Sequence, residues 1–100
     1  MLRIQRYDVD GHEVILNLQG RIVEAWAGFL ERECDELIRS GFRVELDFSE
    51  VVFIGRSGFE ALSRMSRCGV GIIGCSPLVA AMLEQEGIVP RQGQRIQDQS

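Results

Sequence analysis

The sequence predicts a single α/β domain, built on a mixed sheet of four to five strands with its helices mainly on one face. Apolar and polar residues alternate over Glu13 to Gly20 and again over Arg43 to Phe48, the pattern of strands buried on one side only. After each of these segments the apolar residues recur at helical spacing. A chain of 100 residues has the length for one hydrophobic core and not for two.

Taken in order, Leu2 to Tyr7 reads as a short edge strand, and the turn dipeptide Asp10-Gly11 joins it to the next apolar run as a hairpin. In that next strand Val14, Leu16 and Leu18 share one face, with Asn17 and Gln19 opposite. From Trp26 to about Arg39 the stripe Ala27, Leu30, Cys34, Leu37 and Ile38 predicts a helix, closed by Ser40-Gly41. The strand from Arg43 to Phe48 follows, then a short apolar run, Val51 to Ile54. The turn Gly55-Arg-Ser-Gly58 leads into a second helix carried by Phe59, Leu62 and Met65 and closed by Gly69. Val70 to Gly74 reads as a further strand. Ser76-Pro77 opens a third helix, with serine as N-cap and proline at the first helical position, and Gly87 ends it.

Strands followed by helices imply parallel pairs joined by right-handed crossovers, and the opening hairpin adds one antiparallel edge. Residues 1–88 are expected to form the domain, and 89–100 a polar C-terminal tail rich in Gln, Arg and Gly.

Composition narrows the function. With 45% hydrophobic and 26% charged residues the chain is expected to fold. Its net charge of −4 argues against nucleic acid as a partner. No segment approaches the roughly 18 apolar residues of a membrane span, so direct membrane insertion is not expected and a cytoplasmic location is. Cys34, Cys68 and Cys75 form neither an even disulfide set nor a CxxC pair, and His12 is the only histidine. Reduced thiols, with no metal and no cofactor, are the simplest expectation. Glu45 and Asp47 share the polar face of one strand, but no nucleophile or oxyanion site of recognisable spacing accompanies them, so no enzyme activity is expected.

The segment Val44-Glu-Leu-Asp-Phe-Ser-Glu-Val-Val-Phe-Ile-Gly-Arg-Ser-Gly-Phe59 resembles the central signature of STAS domains, the family of the anti-sigma factor antagonists. Leu18-Gln-Gly-Arg-Ile22 resembles the family's strand-ending Leu-x-Gly-x-Ile/Leu, and Gly74-Cys-Ser-Pro77 resembles the Gly-x-Ser/Asn-Pro before its last helix. The likeness runs from about Leu2 to Ile88. It implies a binding module of one domain, monomer or weak dimer, whose partner is an anti-sigma factor or serine-kinase-like protein.

In phosphorylatable members of the family, the second serine of Asp-Ser-Ser-Gly is modified by that kinase, and Ser57 occupies the matching position. Here Gly55 replaces the family's Asp and Arg56 its first Ser. A carboxylate beside the acceptor is missing, so rapid phosphorylation of Ser57 is not expected. Asp47 and Ser49 match the upstream Leu-Asp-Leu-Ser.

Each candidate also has an ordinary structural reading. Ser57-Gly-Phe-Glu60 is a capping box, with Ser57 as N-cap and Glu60 reaching back. Arg56 is either a solvated side chain or, with Gly55 and Gly58, part of a turn able to hold an anion. Phe59 is either core or a partner contact, and Trp26, one step off the buried stripe, either covers the core edge or is a second contact. The partner-binding candidates are therefore Trp26, Asp47, Ser49, Gly55, Arg56, Ser57, Gly58 and Phe59. The leading expectation is a regulatory module that docks through the turn and helix starting at Ser57. The alternative is a non-phosphorylated STAS scaffold subunit docking on the ATPase of a membrane transport complex, and a third is a small-ligand sensor.

Overall fold

The computed structural model of the chain describes residues 1–91. Its elements are β1 (Leu2–Asp8), β2 (Glu13–Ile22), α1 (Glu24–Arg39), β3 (Arg43–Ile54), α2 (Arg56–Arg67), β4 (Gly71–Ile73) and α3 (Pro77–Gln85). The hairpin is set by Asp10, whose carboxylate accepts the His12 and Glu13 N–H groups at 2.8 and 2.9 Å. This returns β2 antiparallel to β1, with Ile4 opposite Leu18. β2 pairs parallel with β3, and β3 with β4, giving a four-stranded mixed sheet in the order β1-β2-β3-β4.

The alternation read from the sequence decides which face is covered. Val14, Leu16 and Leu18 of β2, Val44, Leu46 and Phe48 of β3 and Ile72 of β4 join one core cluster. Ala27, Leu30 and Cys34 of α1, Ala61, Leu62 and Met65 of α2 and Leu83 of α3 complete it. The helices therefore lie against one face of the sheet. Asn17, Gln19, Glu45 and Asp47 occupy the other. Across the helical layer, Arg64 of α2 grips Glu31 of α1 with two hydrogen bonds of 2.8 and 2.9 Å. Those bonds hold the Glu31 carboxyl below the usual carboxylate range.

β3 departs from expectation. The sequence ends a strand at Phe48 and treats Val51 to Ile54 as a separate run, whereas one strand continues from Arg43 to Ile54. Its register against β2 slips twice, between Asn17 and Gln19 and between Gly20 and Arg21, each time with an extra residue on β3. The buried positions consequently change from every second residue to Phe48, Val51 and Ile54. A strand with two bulges loses its period of two, which is why the pattern broke off. α1 likewise begins at Glu24, ahead of the expected Trp26.

The ends of the helices follow the sequence more closely. Ser76 Oγ accepts the Val79 N–H at 3.2 Å with Pro77 as the first residue of α3, as expected. The fixed chain also runs past Ile88. Pro90 is buried, the Arg91 N–H donates to the Ile72 carbonyl at 2.7 Å, and the Arg91 guanidinium pairs with Glu45 at 2.8 Å. The remainder of the expected tail, residues 92–100, lies outside the described residues.

α2 meets β2 without room for a side chain. A Cβ on Gly58 would run into the Ile22 carbonyl oxygen and stand 3.0 Å from Ile54 Cγ2. Gly28, on α1, would meet only the end of Arg32 at an ordinary 3.7 Å. Gly58→Ala should therefore destabilise the fold by about 1–3 kcal/mol, while Gly28→Ala should stabilise it by about 0.5–1 kcal/mol through helix propensity. Urea denaturation of the two variants checks the contrast, and equal stabilities would contradict it.

Candidate functional site

The Ile22 carbonyl stands where β2, β3 and α2 meet. It accepts the Gly55 N–H at 3.0 Å, just after β3 ends, and backs onto Gly58 three residues later. Gly55 is the N-cap of α2, in extended conformation, and its carbonyl accepts the Phe59 N–H at 3.0 Å.

The capping box expected at Ser57 is not formed. α2 starts at Arg56, which makes Ser57 its second residue, and no side chain caps the helix. A serine inside the first turn already has helical backbone and is no longer placed as an N-cap. Its hydroxyl turns instead to the neighbouring helix, where Ser57 Oγ accepts the Glu24 N–H at 2.7 Å. Glu24 is the first residue of α1, and its N–H is one of the donors that a helix start leaves without an intrahelical partner. Glu24 is also the only non-glycine residue with positive φ among the described residues, at 45°. The N-termini of α1 and α2 thus converge on one serine hydroxyl, and both helix dipoles turn their positive ends to it.

Two apolar side chains stand beside this joint. A Cβ at Gly55 would lie 3.2 Å from Val23 Cγ1 and 3.7 Å from Phe53 Cε2. Phe53 is 45% exposed beneath the Arg21 guanidinium, 5.3 Å from its ring centre, and Val52 beside it is 74% exposed. Trp26 and Phe29 on α1 are also partly exposed and meet edge to face, their ring centres 6.3 Å apart. Phe59 is half-buried against the core. The Arg56 guanidinium reaches Glu86 at 3.5 Å, at the C-terminal end of α3.

Asp47 and Ser49 belong to the bulge of β3. Asp47 Oδ1 accepts the Ser49 N–H at 2.9 Å, which satisfies a donor the bulge takes out of the ladder. Its Oδ2 receives Asn17 Nδ2 at 3.3 Å, and Asn17 Oδ1 receives Gln19 Nε2 at 2.8 Å. Gly74, with φ of 74°, leaves no space for a Cβ beside the Asp47 carboxylate. The structure therefore gathers Gly55, Ser57 and Gly58 at the joint, with Trp26 two residues beyond Glu24, and gives Asp47 a bond network of its own. Glu24, Phe29, Val52 and Phe53 were missed by the sequence reading. The unalternating run Val51 to Ile54 signalled the last two, whereas nothing in the sequence around Glu24 marks its backbone.

No family model matches the chain, and no curated protein matches it. Solved structures do. The anti-sigma factor antagonist SpoIIAA in its unphosphorylated form superposes with a TM-score of 0.70 at 18% identity, over 97% of this chain and 95% of that one. The chain has the STAS-like fold of the anti-sigma factor antagonists. An anti-sigma factor antagonist from Mycobacterium paratuberculosis gives 0.75 at 18% identity, over 98% and 93% of the two chains. The Bacillus cell fate determinant SpoIIAA in its phosphorylated form gives 0.65 at 16%, over 97% and 98%.

Among the described residues, no three His, Cys, Asp or Glu side chains converge as metal ligands would. No helix among them is long and apolar enough to cross a membrane. The thiols differ sharply in environment. Burial pushes the Cys34 thiol up to about 12, aided by Glu33 and Glu31, while burial and the Asp47 charge push Cys75 up to about 11. Cys68 is exposed. At pH 8 only roughly one Cys75 thiol in a thousand is ionised, and fewer at Cys34, so iodoacetamide should alkylate Cys68 first. Intact-mass analysis of the reduced protein should show a single rapid adduct, and a second adduct forming at a similar rate would contradict these environments.

Proposed function

We propose that the chain is a cytoplasmic protein-binding regulatory module, an anti-sigma factor antagonist that docks on a kinase-like anti-sigma partner through the turn and helix beginning at Ser57. The observation that carries this reading is the position of Ser57. Its hydroxyl lies at the meeting point of two helix N-termini, beside a turn flanked by the partly exposed Phe53, on a fold shared with anti-sigma factor antagonists. Clustered aromatic side chains near arginines are the usual composition of a protein contact.

Gly55 supports a qualified form of the switch. One antagonist of this fold, SpoIIAA, is known in both unphosphorylated and phosphorylated forms. Here the residue two before Ser57 carries no carboxylate, and the Ser57 oxygen is already engaged by Glu24. Slow or absent phosphorylation follows. The same glycine favours the second reading, a scaffold subunit docking on a transport ATPase without a phosphorylation cycle.

Two measurements test the proposal. Ser57→Asp should weaken binding to a kinase-like partner encoded nearby by more than about tenfold, because it places a charge in an interface that tolerates little unpaired charge. Ser57→Ala should bind within a few-fold of the parent. Equal affinity of the parent and Ser57→Asp, measured by titration calorimetry, would place the docking surface elsewhere. Incubation with that kinase and ATP should leave the intact mass largely unchanged over the time in which a phosphorylatable antagonist is consumed. Rapid stoichiometric addition of one phosphate at Ser57 would show that Gly55 is no obstacle and restore the full switch.

A further inference from the structure

The turn between β2 and α1 is held in an unusual way. Glu24 has left-handed backbone, which an L-residue adopts only where its surroundings over-determine it. Val23, the N-cap of α1, supplies no side-chain bond to the helix start. Within the turn, the Trp26 N–H donates to the Val23 carbonyl at 3.0 Å, and from outside it the Ser57 hydroxyl accepts the Glu24 N–H at 2.7 Å. Trp26 follows two residues later with its edge-to-face partner Phe29.

We propose that Ser57 is the positioning residue of this turn: its hydroxyl selects the left-handed conformation of Glu24 and thereby sets where Trp26 stands on the protein's surface. The positioning is a property of the free chain. Only the description of that surface as a docking surface rests on the function proposed above. The consequence is directional. A change at Ser57 is read on α1, 33 residues away in sequence, through a backbone amide and a tryptophan. α2, which carries the serine, keeps its N-cap at Gly55 and its seat on Ile22 regardless.

The test uses the full chain with no partner present. In Ser57→Ala, hydrogen exchange of the Glu24 amide should quicken about tenfold, the scale expected when one hydrogen bond is lost. The Trp26 amide, bonded to the Val23 carbonyl within the same turn, should quicken with it, while the amides of Leu46 and Leu62 keep the parent's exchange rates. The opened turn remains a minor population, which is why partner affinity moves little. Ser57→Thr keeps the oxygen and should restore slow exchange at Glu24. Unchanged exchange at Glu24 in Ser57→Ala would overturn the proposal. So would an equal acceleration at Leu46, since the hydroxyl would then support the whole fold and not the turn, or a threonine variant that behaves like alanine. A partner indifferent to Ser57→Asp would sink the docking function and leave this result standing.

Discussion

A single carbonyl oxygen, that of Ile22, constrains the junction of β2, β3 and α2. It closes β2 by accepting the Gly55 N–H, and it leaves no space for a Cβ on Gly58. A helix can start against a strand end this closely only if the contacting residue has no side chain. Once Gly58 is seated, the preceding residue must lie beside the chain that leaves Ile22, and that chain is Val23-Glu24. The bond from Glu24 to Ser57 is thus a consequence of the packing at Gly58. Gly20, two residues upstream, makes a second close approach, to the Met1 carbonyl.

The second organising feature is the pair of bulges in β3. Each inserts a residue, and together they carry the strand on to Ile54 and keep Phe48, Val51 and Ile54 directed into the core. The residues left outside, Val52 and Phe53, have no helix over them and become exposed apolar surface. Asp47 makes the first bulge affordable by taking the Ser49 N–H, and Gly74 lets the chain after β4 close over the same carboxylate. The Leu-Asp-Phe-Ser and Gly-Cys-Ser-Pro segments, distant in sequence, are therefore parts of one packing arrangement. Asp47 accordingly has a full structural role, separate from any contact with a partner.

Ser57 joins these two themes. Its oxygen serves the architecture by accepting the first amide of α1, and it lies at the positive ends of two helix dipoles.

By itself the sequence determined the order of the elements, the face that each strand buries, the helix stops at Gly41, Gly69 and Gly87 and the helix start at Ser76-Pro77. The alternation at Val14, Leu16, Leu18 and at Val44, Leu46 depends on strand geometry alone, and the Ser76-Pro77 start and the Gly41 stop depend on local backbone chemistry. Such signals are complete within a few residues. The resemblance at Val44 to Phe59 likewise singles out the segment Gly55 to Gly58. Only the tertiary structure decided what those residues do. Ser57-Gly-Phe-Glu60 satisfies the local rule for a capping box, yet the seating of Gly58 on Ile22 goes with a helix that starts two residues earlier, with Gly55 as its N-cap, and sends the hydroxyl to Glu24. Glu24 itself has no local reason to adopt positive φ, and the bulges of β3 exist only through their register with β2. These outcomes depend on distances between segments some thirty residues apart, and a short-range pattern carries no record of them.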